Sequence, residues 1–213
     1  MINLTTIYLM RHSEPFKTHL GILDVNESLL FSNIKTPLSI NGEKLAEKIS
    51  NRNGFKNLDV IWSSSYVRAI STAKYFAFNN NLKVNISDKF GERIHGIKDW
   101  NELPDNFEKK QLFDDNYKIG NGESQKEVKK RMLETINKLL KEYKDKTILI
   151  VSHATAITFL LKNWCDVSIE GDKLKYTYKD NILLHGYLNY CETFKLEFNE
   201  DRLINIENIK LGV

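Results

Sequence analysis

The chain has 213 residues, 41% of them hydrophobic and 28% charged, the proportions of an ordinary soluble globular protein with room for a sizeable core. A formal charge of +3 without a dense basic stripe gives no warrant for nucleic-acid binding, and two cysteines, Cys165 and Cys191, build neither a disulfide framework nor a zinc knuckle. No apolar run approaches the ~20 residues that span a bilayer, and the first six residues lack the pattern of a secretory leader, so a cytoplasmic protein engaging neither membrane nor nucleic acid is expected.

The first predicted element is a short buried strand over Thr5–Met10 that runs straight into Arg11-His12 and is broken by Ser13-Glu14-Pro15. Such an ending puts a guanidinium and an imidazole outside the carboxyl end of a strand, where open α/β sheets hold ligands. Residues 13–37 read as a loop. Ser39 is a good N-cap for a helix running to Asn51, with Leu45, Ala46 and Ile49 as its apolar stripe. Leu58–Trp62 is the next buried strand. Ser63-Ser64-Ser65 can cap a helix over Tyr66–Phe78, on which Ile70, Ala73 and Ala77 share a face. Leu82–Ile86 alternates as a short strand. Residues 91–122 then hold Trp100, Phe107, Phe113 and Tyr117 among charges, without a clean period. A stretch of that length between a strand and a helix is unusual unless functional, and it is expected to lie over a pocket and set leaving-group preference.

Glu123–Lys144 carries the strongest helical pattern, with Val128, Met132, Ile136, Leu139, Leu140 and Tyr143 inward, Ser124 as its cap, and lysines 126, 129, 130, 138, 141 and 144 as a solvated face. A second buried strand, Thr147–Val151, ends in Ser152-His153-Ala154-Thr155 and leads into a helix over Ala156–Trp164. Thr193–Phe198 and Leu203–Ile209 read as a terminal hairpin around Asn199-Glu200-Asp201. Strands alternating with helices imply a three-layer α/β/α fold with a mostly parallel central sheet, here one domain over 1–213 with a lid-like insertion at 91–122. Right-handed crossovers bring successive strand ends to one edge, so Arg11 and His12, residues 63–68, and His153 become neighbours. Two strand-ending histidines with arginines point to a pocket for an oxyanion, a phosphoryl group before any other.

These residues resemble the histidine phosphatase superfamily, also called phosphoglycerate mutase-like. The matching segments are Tyr8-Leu9-Met10-Arg11-His12-Ser13-Glu14, Thr36-Pro37-Leu38-Ser39-Ile40-Asn41-Gly42, Ser63-Ser64-Ser65-Tyr66-Val67-Arg68-Ala69-Ile70-Ser71-Thr72-Ala73, Glu92-Arg93-Ile94-His95-Gly96, Gly122-Glu123-Ser124 and Val151-Ser152-His153-Ala154. Each alone is weak; their shared order across the chain is a strong signal. The resemblance implies that His12 is the nucleophile, carrying the phosphoryl group as phosphohistidine, and that Arg11, Arg68 and His153 hold the phosphoryl oxygens. It implies that Glu92 is the proton donor and later the base for water; the carboxylates Asp88, Asp99 and Glu102 are competing candidates for that task. Three departures touch the phosphate loop. Ser13 stands where the family usually has Gly, Pro15 where it commonly has Thr, and Thr18, counted here among the substrate-binding residues, where it commonly has Asn.

Elementary chemistry supports the same roles. A neutral imidazole is a usable nucleophile, and flanking guanidiniums disfavour its protonated form. Phosphoryl transfer asks the protein mainly for positioning and for charge on the equatorial oxygens, which arginine supplies in a planar fork. A carboxyl beside a bound phosphate is opposed by like charge, which favours its proton-donating form. The arrangement needs no metal and no cofactor. The expected activity is metal-independent hydrolysis of a small phosphate ester. A mutase that returns the phosphoryl group to another hydroxyl is the first alternative, and a non-catalytic phosphate-ester binding module, which Ser13 keeps open, is the second. His95 and His19 read as surface or loop residues, and a homodimer is left open.

Overall fold

Neighbouring residues of the two central strands enter two different cores, which is what a sheet covered on both faces requires. In the computed structural model, which describes residues 4–16 and 28–209, strand β1 (Thr5–Arg11) and strand β4 (Thr147–Ser152) lie side by side and parallel, with Met10 opposite Val151 and Arg11 opposite Ser152. Ile7, Leu9, Ile148 and Ile150 pack on one side against α5 (Gln125–Glu142) and α6 (Ala154–Leu161). Met10, Leu149 and Val151 pack on the other with Ile49 of α2 (Ile40–Ser50) and with Ala69, Ala73 and Phe76 of α3 (Val67–Asn80). The apolar alternation in β1 and β4 therefore holds both helical layers.

The central sheet has six strands in the order β3 (Val84–Ile86), β2 (Val60–Ser63), β4, β1, β8 (Thr193–Asn199), β9 (Arg202–Ile209). Its first three pairings are parallel and its last two antiparallel, a mostly parallel sheet closed by a terminal hairpin. Because β4 sits between β1 and β2, the chain ends of all three strands open on one edge. Ser39 caps α2 through its hydroxyl, and Ser124 and Glu127 form a reciprocal capping box on α5, as the sequence pattern predicts. Cys165 and Cys191 are free and buried.

Four elements differ from the sequence reading. Residues 13–37 hold a short helix, α1 (Leu29–Lys35), whose Leu30 and Phe31 stay exposed, so no inward stripe betrays it. The insertion at 91–122 contains the seven-residue helix α4 (Phe107–Phe113), too short to show a period. A second antiparallel sheet, β5 (Asp166–Glu170), β6 (Lys173–Tyr178) and β7 (Asn181–His185), falls where no strand was predicted; its residues are mostly charged, polar or half-buried. Lys129, assigned to the solvated face of α5, is mostly buried and pairs with Asp115 at 2.8 Å.

Candidate active site

The parallel pairing of β1 with β4 sets the geometry. Just past the paired Arg11 and Ser152, the His12 N–H continues the ladder to the Ser152 carbonyl at 2.9 Å. His12 and His153 thus emerge together, with ring centroids 5.0 Å apart and both rings buried. Their hydrogen bonds fix both tautomers. His12 Nδ1 lies 2.6 Å from the Ser13 carbonyl, so it carries the proton, and Nε2 accepts from Arg68 Nε at 3.0 Å. His153 Nδ1 faces Arg68 Nη2 at 3.2 Å and must accept, so Nε2 carries the proton toward Ser64 Oγ at 2.7 Å. Both imidazoles are neutral. Burial pulls the pKa of His12 well below the usual histidine value, and the Arg68 and Arg11 charges pull it further. Burial does the same for His153, helped by His12 and Arg68.

The guanidiniums come from opposite sides. Arg68 stands in the first turn of α3, is buried, and also donates to the Asn33 carbonyl of α1. Arg11 donates to the Leu188 carbonyl and lies under the Tyr190 ring, 4.3 Å from its centroid. Its buried Nε has no hydrogen-bond partner among the described residues. Desolvation lowers the pKa of both arginines, though at neutral pH they keep their charge. Two cations, Arg68 buried and Arg11 half-buried with an unmatched Nε donor, make a cavity edge that favours an anion.

Glu92 takes a position that the sequence did not suggest. Helix α6 begins at His153, whose imidazole is turned to the site and does not cap the helix. Glu92 caps it instead. Its Oε1 accepts from the Ala156 N–H at 2.9 Å and its Oε2 from the Thr155 N–H at 3.2 Å. The loop that delivers it is pinned twice. Ser152 Oγ donates to the Phe90 carbonyl at 2.7 Å, and Arg131 of α5 donates to the carbonyls of Lys89, Gly91 and Glu92 while pairing with Glu123 at 2.7 Å. Asp88, Asp99 and Glu102 are all exposed, whereas the Glu92 charge is felt by both site arginines.

The hydroxyl and the N–H of Ser13 are both committed to partners other than His12 Nε2. Its hydroxyl donates to the Gly42 carbonyl at 2.7 Å, and its N–H donates to Thr72 Oγ1 at 2.9 Å. The neighbouring Gly42 is obligatory, because a Cβ there would lie 2.1 Å from the Glu14 carbonyl oxygen. Pro15 bridges to Leu38, and the bonds of that bridge are made by its neighbours, Phe16 N–H to the Pro37 carbonyl at 2.8 Å and Ser39 N–H to the Glu14 carbonyl at 3.0 Å, so the missing donor costs the bridge nothing. Thr18 and His19 lie outside the described residues. His95, expected at the surface or in a loop, lies in a loop and is half-buried; it accepts from Arg93 at 2.6 Å and meets Trp100 edge-on at 4.9 Å. Arg131, Ser64 and Thr72 were not singled out for the site. Arg131 had one available signal, a lone arginine in a lysine-rich helix.

Beside this cluster lies a cavity of about 500 Å³, walled by Glu108 and Leu112 of α4, Thr155 and Thr158 of α6, Leu174 of β6, and Tyr187 from the loop after β7. The insertion that carries α4 is closed at its base by Gly96 and Gly122. Gly96 adopts φ +80°, and a Cβ on it would lie 2.3 Å from the Gly122 nitrogen. Arg93, buried under Phe107, ties α4 down through a two-pronged pair with Glu108 at 2.9 Å. Among the described residues no group of three or more His, Cys, Asp or Glu is placed to hold a metal ion, and no helix is long and apolar enough to cross a membrane.

Comparison with known proteins adds three findings. The sequence profile described as "Histidine phosphatase superfamily (branch 1)" matches residues 7–182. A curated relative, phosphoserine phosphatase 1 of Hydrogenobacter thermophilus, is 26% identical over 163 residues, covering 70% of this chain and 71% of its own. Among solved structures, a mycobacterial glucosyl-3-phosphoglycerate phosphatase complexed with VO3 superposes with a TM-score of 0.68 at 16% identity, covering 96% of this chain and 97% of its own. A phosphoserine phosphatase from Entamoeba histolytica, complexed with 3-phosphoglyceric acid, gives 0.67 at 22% identity, covering 97% and 98%. At these identities the superpositions show a shared fold.

Proposed function

The chain belongs to the histidine phosphatase superfamily and is a phosphoric monoester hydrolase of it; from that premise we propose that it works without a metal ion, through a phosphohistidine on His12. The observation that carries this reading is the His12 tautomer. Nδ1–H is committed to the Ser13 carbonyl, which leaves the Nε2 lone pair facing the arginines. An imidazole so held can attack phosphorus with one lone pair and no proton to shed first.

In the resting site Arg68 Nε–H occupies that lone pair. A phosphoryl dianion is the stronger acceptor, so the guanidinium turns from Nε2 to the equatorial oxygens and uncovers the nucleophile. Arg11 meets the same oxygens from the other side. The neutral His153 places its Nδ1 beside the Arg68 guanidinium and so helps to aim it. In the loaded site the carboxyl of Glu92 carries a proton, favoured by the like charge of the phosphoryl group beside it; as the P–Nε2 bond forms and the P–O bond of the ester breaks, it gives that proton to the departing alkoxide. In the second half Glu92 takes a proton from water, whose oxygen displaces Nε2 and releases orthophosphate. Its support from Ser152, Arg131 and the start of α6 fixes the carboxyl for both transfers. Ser13, turned to Gly42, leaves the nucleophile competent and removes the reason to favour a merely binding role.

The test is turnover of p-nitrophenyl phosphate in excess EDTA. The expected result is undiminished hydrolysis that the His12→Ala protein lacks. Activity restored only by added divalent metal, or retained without His12, contradicts the reading.

A further inference from the structure

The cavity beside the phosphate site begins where that site ends. Leu188, whose carbonyl takes the Arg11 donor, lines it, and so does Thr155, whose N–H holds Glu92. An ester oxygen between His12 and Glu92 therefore has its alcohol directed toward this space. At about 500 Å³ the space exceeds the needs of a three-carbon alcohol and falls in the range of sites that enclose drug-sized ligands.

The wall chemistry is one-sided. The exposed wall is mainly apolar, and Leu112, Phe159, Ile169, Leu174, Tyr187 and Leu188 are six of its thirteen side chains. The cations, Lys109 and Lys173, are exposed and stand in sequence next to Glu108 and Asp172. No arginine lines the space, and the nearby Arg93 is spent on Glu108. A carboxylate on the alcohol would meet no rigid fork to receive it. Ile169 is 40% exposed and Tyr187 86%, so apolar surface is left open at the mouth among the described residues.

We propose that this cavity is the leaving-group pocket and selects a neutral, mainly apolar alcohol of about six or more carbons over small or carboxylate-bearing ones; the proposal rests on the phosphatase reading above. Helix α4, the β5–β7 sheet and the loop that follows it form the specificity walls.

The n-alkyl phosphates from ethyl to octyl test it, because their leaving alcohols have nearly the same basicity and differ in apolar length alone. The expected result is a rise in kcat/KM of about two- to fourfold per methylene, the size of a buried CH₂, with phosphoserine below butyl phosphate. In the double variant Ile169→Ser, Tyr187→Ser the octyl-to-ethyl ratio should fall about fivefold or more. Calorimetric titration of the His12→Ala protein with octylphosphonate and ethylphosphonate reads the pocket without turnover, the octyl compound binding at least tenfold tighter. A flat series, or a tenfold preference for phosphoserine, while ethyl phosphate is still hydrolysed, overturns the pocket assignment and leaves the phosphatase reading standing. Absence of turnover for every ester, with octylphosphonate still bound more tightly, overturns the phosphatase reading and with it the leaving-group role. Equal phosphonate binding overturns the pocket itself.

Discussion

At the phosphate end of the cleft, almost every polar atom is answered by a partner from a distant part of the chain; at the leaving-group end, apolar side chains face open space. His12, Arg68, His153 and Ser64 form one continuous hydrogen-bonded chain drawn from the residues just past β1 and β4, from α3 and from the turn after β2. The cavity next to it is walled in part by a seven-residue helix, a small sheet with the exposed Ile169, and the loop after that sheet with the exposed Tyr187. The contrast teaches a division of labour. Charge that must be aimed to within a fraction of an ångström is fixed by the central sheet, while shape and apolar surface are supplied by segments that can vary without disturbing it.

Breaking the phosphate end should cost most. His12→Ala should lower kcat for p-nitrophenyl phosphate roughly 10⁴-fold or more, as removal of a nucleophile does elsewhere. Arg68→Ala should cost about 10²–10³-fold, the size of a lost oxyanion contact, and Arg68→Lys should recover little of it, because lysine has no planar fork to meet the phosphoryl oxygens while its other donor stays on His153 Nδ1. Retention of half the activity by the lysine variant would show that charge alone suffices. Glu92→Gln sharpens the comparison, since it sits at the seam. Alkyl phosphates should slow by about 10²-fold and p-nitrophenyl phosphate by only a few-fold, because its leaving group needs no proton. Equal slowing of both would move the acid elsewhere.

Smaller effects probe the scaffold. Arg131→Ala frees the loop that presents Glu92, so kcat should fall by about tenfold for alkyl esters with little change in KM. Loss of thermal stability without that leaving-group dependence would make Arg131 purely structural. The buried histidines predict a pH effect on stability. Both are held neutral when folded, with pKa values below the ~6.5 of an unfolded histidine. Below pH 6.5 the unfolded chain therefore binds more protons, and stability falls as pH falls. The slope approaches about 1.4 kcal/mol per pH unit for each histidine, or about 2.7 for both. Urea unfolding between pH 5 and 6.5 measures it, and His12→Asn should remove about half. A flat profile would mean that the rings accept protons in the folded state.

The phosphate end was legible in the sequence because each of its parts is a local event. An apolar run that stops at Arg11-His12, a serine cap before Ile40, and a strand ending in His153 are patterns within a few residues, and the topology joins them. The terminal hairpin and the strong stripe of α5 were legible for the same reason. What could not be read was non-local or weakly patterned. That Glu92 caps α6 depends on a contact between residues 63 and 64 positions apart. Arg131 acts across 39 to 42 residues on backbone carbonyls, which no sequence motif encodes. The β5–β7 sheet carries lysines and half-buried positions where a strand signal would need clean alternation, and α1 and α4 are each too short for a period to emerge.

The central claim is that an uncharged imidazole takes phosphorus directly. Rapid quenching of the enzyme with a ³²P-labelled aryl phosphate in EDTA, followed by peptide mapping, tests it. Label should appear at His12, stable to alkali and lost in acid, at a rate no slower than turnover. Hydrolysis that proceeds with no label on His12, or with label on a carboxylate or hydroxyl instead, would contradict it.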